Sequence, residues 1–419
     1  MTARTRARAV RVPAPRVGPP PPPRIALTDR DRITLELARH GGDMILGAVL
    51  RLDGPPPAAS ELAEHLRARI RSVPELTYRP YGLSGGRPYW AQDPDFDVAR
   101  HVYEVARPAR PAHAADADLA AVLDRPLPED RPLWGVWLVR PSGPGETGYA
   151  LCYRVHHAFQ DGLAAMAAVE ALFGPEPGAA PVPLAEGDPD SERRGAPEGD
   201  PESAPDGTPG SLVTLRLDTA VLFRAARAAG ASLHQLCLAL ATATAREWAP
   251  LAGVVPLRAN LGISLRPPAT PVRPVGNQVG VLSVELPVDE PDPLARLRCL
   301  VQGVPGERLV GRGLRAHRLR ARWPLLDRFA LRRAIDPRTA ALSVADVRLR
   351  RVLEFAGAPV RRVYPIPVLV PGQRLFIAWT SYRGQLHVTF RTDRPTPELD
   401  LLPRLWRSAV DDLRRALDS

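Results

Sequence analysis

The sequence contains no lysine, only three cysteines and few aromatic residues. All 56 basic residues are Arg, which we attribute to the bias of a GC-rich genome rather than to chemistry. Cys152, Cys237 and Cys299 stand far apart, which argues against a disulfide framework and a Cys-x-x-Cys metal site. No run approaches the ~18 apolar residues of a membrane-spanning helix, and no apolar signal segment follows the basic N-terminus. We therefore expect a reduced, cytoplasmic protein.

The length and composition predict two packed subdomains separated by a linker. A chain of 419 residues is too long for one small module. Residues 1–24 are rich in Arg and Pro and are expected to form a disordered tail. Residues 174–211 are rich in Pro, Gly, Glu, Asp and Ala and are expected to form a linker or crossover loop. The two subdomains would then span 25–173 and 212–419.

Apolar periodicity in both halves predicts a mixed fold, α/β or α+β. Thr28 and Asp31 mark the start of a helix, and Ser60 is the expected N-cap of another. Strands are predicted at 44–52, 133–139, 149–156, 212–217, 261–265, 279–286, 376–382 and 385–391. Helices are predicted at 60–73, 119–123, 163–173, 221–228, 233–248, 292–301 and 403–417.

The heptad at residues 156–162, His-His-Ala-Phe-Gln-Asp-Gly, is the strongest chemical signal in the chain. It follows a predicted strand, where adjacent side chains point to opposite faces, so only one of His156 and His157 can face a given cleft. A neutral imidazole with a pKa near its ordinary value of about 6.5 can accept a proton from a hydroxyl or an amine. Asp161 can orient a neighbouring group, and Gly162 permits close approach of the backbone.

Other chemistries find little support in the sequence. No Gly-x-Ser-x-Gly nucleophile motif is present, so direct attack by an acceptor is the simpler scheme. Metal binding by His156, His157 and Asp161 is weakly supported, because adjacent strand residues diverge and no further ligand has a usual spacing. Nucleic-acid binding rests on Arg content alone, without a zinc finger, basic-aromatic motif or helix-turn-helix. We expect no bound metal or cofactor and no nucleic-acid partner.

The heptad resembles the HHxxxDG signature of the wax ester synthase/diacylglycerol acyltransferase family. That family belongs to a larger group of CoA-dependent acyltransferases and peptide-synthetase condensation domains. The resemblance covers residues 27 to 417, interrupted by the linker. It also rests on segments at 87–90 (Arg-Pro-Tyr-Trp), 93–97 (Asp-Pro-Asp-Phe-Asp), 131–134 (Arg-Pro-Leu-Trp), 264–267 (Ser-Leu-Arg-Pro) and 276–279 (Gly-Asn-Gln-Val).

The resemblance implies two chloramphenicol-acetyltransferase-like subdomains with a tunnel between them. Acyl-CoA, as co-substrate, would enter from one side, and an alcohol such as diacylglycerol or a fatty alcohol from the other. His157 is implied as the general base, with His156 beside it. Asp161 is implied to be mainly structural, paired with an Arg of the C-terminal half, for which Arg266 is our candidate. Gly162 completes the predicted site as a structural residue.

Several positions leave alternatives open. The chain has His234-Gln235 where relatives carry Asn-Asp, and Ser-Val-Ala-Asp-Val at 343–347 where relatives carry Ser-Asn-Val-Pro-Gly. A condensation-like tailoring acyltransferase, forming an ester or amide on a small molecule, is therefore the alternative function, and a binding protein without turnover is a third. His234 either replaces a polar site residue or has no role. Asn277 either hydrogen-bonds at the tunnel or makes a turn, and Trp134 either contacts substrate or packs.

An arginine cluster adds a further alternative. Residues 308–333 contain nine Arg, on a partly helical pattern. They either contact CoA phosphates or anionic lipid headgroups, or form a solvated helix face. With a net charge of +10, peripheral contact with the anionic inner face of the plasma membrane is consistent with this cluster.

Overall fold

The computed structural model has a mixed α/β fold, as the sequence predicts. The predicted tail and linker fall almost entirely outside the described residues, so both stay predictions, as do the subdomain boundaries and most of the arginine cluster. The structure describes residues 23–40, 43–83, 87–106, 114–123, 125–141, 148–175, 211–254, 256–266, 272, 275–303, 340–370 and 373–418, with isolated positions between 304 and 339.

Strands and helices are mixed along the described chain. The strands are β1 (Ile25–Ala26), β2 (Ile45–Leu52), β3 (Tyr78–Tyr81), β4 (Tyr89–Gln92), β5 (Val102–Ala106), β6 (Trp134–Arg140), β7 (Tyr149–His156), β8 (Leu212–Asp218), β9 (Arg258–Ser264), β10 (Val279–Glu285), β11 (Leu342–Asp346), β12 (Glu354–Phe355), β13 (Ala358–Pro359), β14 (Arg362–Ile366), β15 (Leu375–Tyr382) and β16 (Gln385–Arg391). The helices are α1 (Asp29–Arg39), α2 (Ala59–Ile70), α3 (Ala114–Leu123), α4 (Gly162–Phe173), α5 (Thr219–Ala228), α6 (Leu233–Glu247), α7 (Pro293–Gly303) and α8 (Leu402–Asp418).

The first main sheet has the strand order β14-β2-β7-β6-β5. Its central strands β2 and β7 are buried on both faces, which explains why they are almost continuously apolar. Leu46 and Leu50 of β2 pack with α2 and α4 on one face, whereas Val49 packs with α3 on the other. β7 ends at His156, so the heptad begins at the end of a central strand of this sheet.

An exchanged strand joins the two halves. β14 belongs to the C-terminal part of the sequence but pairs antiparallel with β2 of the first sheet, with Val363 opposite Leu50. It is an edge strand, which suits Pro365 because proline cannot donate a hydrogen bond to a further strand. The first sheet therefore draws on residues from both sides of the predicted linker.

The second main sheet has the strand order β10-β9-β11-β15-β16-β8. One face is apolar and packs against α5, α6, α7 and α8, with Leu261, Val344 and Trp406 in this core. The opposite face carries the alternate residues of each strand, including Asn260 and Ser343, and looks toward the first half. This alternation places a sheet face with both polar and apolar side chains at the boundary between the halves.

Most predicted elements are present, with boundaries shifted by a few residues. The hairpin around Arg383 and Gly384 is confirmed, and both residues have positive φ (49° and 75°). The predicted N-cap at Ser60 is wrong, because α2 begins at Ala59 and its N-cap is Ala58. The Ala58 N–H donates a hydrogen bond to the Glu61 carboxylate at 2.8 Å. The helix predicted at 119–123 begins five residues earlier, at Ala114. No described helix is both long and apolar enough to cross a bilayer.

Candidate active site

A cavity of about 280 Å³ lies where the two halves meet. Its walls come from α1, β2 and α4 on one side and from β9, β10, β11 and β15 on the other, with residues 365–370 completing it. Most of the lining is aliphatic. Of the heptad, the cavity wall includes His157 and Gly162.

The two adjacent histidines face different surroundings, as the strand geometry predicts. His157 lines the cavity and keeps some exposed surface there, although protein surrounds it on its other sides. His156 is buried, and its Nδ1 accepts a hydrogen bond from the Ala158 N–H at 3.1 Å. Burial, with a smaller effect of His157, lowers the pKa of His156 to about 4. His156 is therefore neutral at neutral pH, and it is not among the residues that line the cavity.

The heptad backbone fixes the tautomer of His157. Its Nδ1 lies 3.1 Å from the carbonyl oxygen of Gln160, which can only accept a hydrogen bond. The proton must therefore be on Nδ1, which leaves the Nε2 lone pair free. Burial lowers the pKa of His157, and the Gln160 carbonyl and the charge of Asp161 oppose this only partly. The ring is therefore a neutral base at neutral pH.

Asp161 is the buried anchor of the heptad loop. It caps α4, with Oδ1 accepting a hydrogen bond from the Ala164 N–H at 3.0 Å. Its Oδ2 accepts hydrogen bonds from Arg266 Nη1 at 2.7 Å and from the Gln278 N–H at 2.8 Å. The ion pair predicted between Asp161 and Arg266 is therefore present, and it joins the two halves. Neither side chain is among the cavity-lining residues, so the pair acts on the loop and not on a ligand directly.

The segment 275–278 locks onto the heptad from the other half. The Gly276 N–H donates to the carbonyl of Phe159 at 2.6 Å, and Gly276 has a φ of +86° that favours glycine. The next N–H, from Asn277, donates to Oδ1 of Asp31 at 2.9 Å. Two buried carboxylates, Asp31 and Asp161, therefore hold consecutive backbone N–H groups of this segment. In the sequence Asp31 indicates only the start of a helix, and its capping position gives no sign of this second contact.

Asn277 satisfies both alternatives that the sequence leaves open. It lines the cavity, and its side chain bonds the backbone two residues on, as in an Asx-turn. Its Nδ2 donates to Thr34 Oγ1 at 3.4 Å, and its Oδ1 accepts from the Val279 N–H at 3.1 Å. Because both ends of the amide already have protein partners, the side chain shapes the cavity wall.

Two predicted site residues need correction. Trp134 is fully buried, its Nε1 donates to the carbonyl of Leu76 at 2.7 Å, and its ring stacks on His101. It does not line the cavity, so substrate contact is wrong and packing is its role. At Gly162 an added Cβ would meet no atom of the described residues within 4 Å, so close approach by another part of the protein backbone is not the reason for this glycine. Its small size leaves the cavity open beside His157.

The two departures from the family pattern lie together. His234 Nδ1 is 3.6 Å from Oδ2 of Asp346, and Asp346 is one of the cavity-lining residues. Burial alone would raise the pKa of Asp346, but hydrogen bonds and charge from His234 and Arg348 hold it below its usual value. The position of His234 supports its role as a polar replacement near the site. Within the described parts of the chain, no group of three His, Cys, Asp or Glu side chains is placed to hold a metal ion.

Sequence comparison matches this chain to two family models. A wax ester synthase/diacylglycerol acyltransferase catalytic domain matches residues 27–259, and the C-terminal domain of the same family matches residues 275–414. A probable diacylglycerol O-acyltransferase of Mycobacterium tuberculosis H37Rv is 37% identical over 128 residues. That alignment covers 29% of this chain and 27% of the relative, so it spans only about a quarter of that protein's length.

Solved structures share the fold at low sequence identity. The wax ester synthase/diacylglycerol acyltransferase from Marinobacter aquaeolei VT8 superposes with a TM-score of 0.64 at 18% identity, covering 94% of this chain and 100% of that one. The first condensation domain of the calcium-dependent antibiotic synthetase, in complex with a substrate analogue, gives a TM-score of 0.65 at 21% identity. That superposition covers 94% of this chain and 97% of the other.

Proposed function

The chain belongs to the wax ester synthase/diacylglycerol acyltransferase family, and on this premise we propose that it transfers a fatty acyl group from acyl-CoA to an alcohol. The acceptor is a diacylglycerol or a long-chain alcohol. One observation supports the proposal most directly. The neutral His157, whose Nδ1–H donates a hydrogen bond to the Gln160 carbonyl, lines a cavity between the halves.

The proposed reaction is a direct displacement on the thioester. Nε2 of His157 takes the hydroxyl proton as the acceptor oxygen attacks the thioester carbonyl carbon. The carbon–sulfur bond then breaks, and the proton passes from Nε2 to the CoA sulfur. The products are the ester and free CoA, and His157 returns to its neutral state. Holding both substrates in one cavity supplies a further part of the rate.

Product analysis with matched acceptors tests this proposal. Palmitoyl-CoA is supplied with dipalmitoylglycerol, 1-hexadecanol or hexadecylamine, and free CoA and acylated product are measured. We expect ester from at least one alcohol, in an amount equal to the CoA released. Amide from hexadecylamine, with no ester from either alcohol, would contradict the proposal and support the condensation-like alternative.

The lowered pKa of His157 predicts how activity depends on pH. A base is lost when it is protonated, so kcat/KM falls as the pH drops through the pKa of His157. Because burial lowers that pKa from its ordinary value of about 6.5, the acid limb of the profile should have its midpoint below pH 6.5. The measurement is kcat/KM for the acceptor between pH 4.5 and 8. An acid limb with its midpoint at or above 6.5 would be the contrary result.

We further propose that the protein works in the cytoplasm and contacts an anionic membrane surface peripherally. The net charge of +10 supports electrostatic attraction to anionic lipid. Leu319, Trp323 and Phe329, which lie among the arginines of 308–333, are exposed. Co-sedimentation with anionic rather than zwitterionic vesicles tests this proposal.

A further inference from the structure

A polar strip crosses one wall of the cavity, whose lining is mostly aliphatic. Asn260 of β9 and Ser343 of β11 are opposite each other in register, and both line the cavity. Gln373, just before β15, lines it as well and donates a hydrogen bond from Nε2 to Ser343 Oγ. All three side chains are more than nine-tenths buried. The neighbouring core-facing residues of these strands, Leu261 and Leu342, are apolar and do not line the cavity, so the strip belongs to the cavity face.

Gln373 has an unused hydrogen-bonding group at this strip. Its side chain is only 3% exposed, yet Oε1 has no hydrogen-bond partner in the described structure. The Asn277 amide, which also lines the cavity, has protein partners at both ends. A buried amide oxygen without a donor is unfavourable, and such groups normally find a partner in the protein, in water or in a ligand.

We propose that Gln373 and Ser343 form a binding subsite for a hydrogen-bond donor of the acceptor, distinct from the hydroxyl that is acylated. This inference rests on the proposed function and deepens it by naming the acceptor class. A saturated acyl chain has no donor for Oε1, and neither does a simple fatty alcohol beyond its reacting hydroxyl. The preferred acceptor is therefore a long-chain alcohol that carries a second hydroxyl, as a 1,2-diol does, rather than a diacylglycerol, whose single hydroxyl is the one that reacts.

The pantetheine arm of acyl-CoA has amide N–H groups and is the other source of such a donor. The kinetic parameters separate the two sources. A subsite for the acceptor affects the KM of the diol, whereas a subsite for pantetheine affects the KM of palmitoyl-CoA.

The test compares 1,2-hexadecanediol with 1-hexadecanol, which differ by one hydroxyl group. For the wild-type protein we expect a KM about tenfold lower for the diol, the effect of about one neutral hydrogen bond. In Gln373→Leu, which keeps a similar volume, the two KM values should become equal and the KM for palmitoyl-CoA should not change. Ser343→Ala should reduce the preference as well, because it removes the partner that orients the Gln373 amide. Gln302→Leu, an exposed position on α7, is the matched control and should keep the preference.

Several results would overturn the subsite. One is a diol preference that survives in a folded Gln373→Leu protein, and another is a raised KM for palmitoyl-CoA instead of the diol. Calorimetric binding of both alcohols to wild type and Gln373→Leu separates this proposal from the catalytic one. If wild type releases no CoA with any alcohol, acyl transfer fails; tighter binding of the diol that is lost in the variant would still support the subsite. Equal binding of both alcohols to wild type would reject it.

Discussion

Replacing His157 with Ala is expected to reduce CoA release from palmitoyl-CoA and an alcohol at least about a hundredfold. A positioned general base contributes roughly 10²–10⁴-fold to a proton-transfer reaction, and the substitution removes the Nε2 lone pair at the cavity wall. The fold should survive, because the only side-chain hydrogen bond found for His157 among the described residues runs from Nδ1 to the Gln160 carbonyl, and part of the ring borders the cavity. Initial rates at saturating acceptor, together with a thermal melt, measure both effects.

His40→Ala is the matched control for this experiment. His40 is exposed at the end of α1 and lies outside the cavity lining, so its loss should leave turnover close to the wild-type rate. Near-full turnover in a folded His157→Ala protein would reject His157 as the base. An unfolded variant would instead show that the ring is needed for the loop, and His157→Gln would then test the chemistry.

Replacing Asp161 with Ala is expected to lower both stability and rate. The carboxylate is fully buried and accepts hydrogen bonds from Ala164, Arg266 and Gln278. Removing one partner of a buried ion pair leaves an uncompensated charge, here on Arg266, and costs about 3–5 kcal/mol. The same change removes one hydrogen bond between segment 275–278 and the heptad. The His157 ring should therefore be held less firmly at the cavity, which lowers the rate. Denaturant unfolding and CoA release measure the two effects.

An exposed ion pair provides the comparison for Asp161. Asp411 and Arg414 pair on the surface of α8, where such pairs contribute about 0–1 kcal/mol. Asp411→Ala should therefore change the free energy of unfolding little and leave the rate intact. The structural role of Asp161 is refuted if Asp161→Ala unfolds at the same denaturant concentration as wild type. A double-mutant cycle with Arg266→Met gives the coupling energy of the pair.

The sequence was sufficient to predict the fold class, the family and the local shape of the heptad site. Strand alternation predicts that His156 and His157 face apart, and they do so although β7 ends at His156, because the His157 N–H still donates a hydrogen bond to the Met44 carbonyl at 2.7 Å. The Asp161–Arg266 pair was foreseen through family resemblance, since no spacing rule brings together residues 105 positions apart. The catalytic role of His157 stays a prediction.

Other features depend on tertiary contacts that leave no local pattern. The exchange of β14 into the first sheet is one, because Arg362–Ile366 reads as a short proline-containing segment with no signal for its partner. The contact of Asp31 with Asn277 is another, since a capping aspartate looks the same whether or not a distant N–H also reaches it. Trp134 was ambiguous because an aromatic residue in a recognisable block can serve packing or binding, and only burial decides between them.

The stoichiometry of acyl transfer in wild type and His157→Ala tests the central claim most directly. Free CoA and ester are quantified in the same reaction of palmitoyl-CoA with the best alcohol acceptor. Wild type should form one ester for each CoA released, and the variant should form about a hundredfold less of both. Ester production by the folded variant at the wild-type rate would show that the imidazole at the cavity wall is not the base.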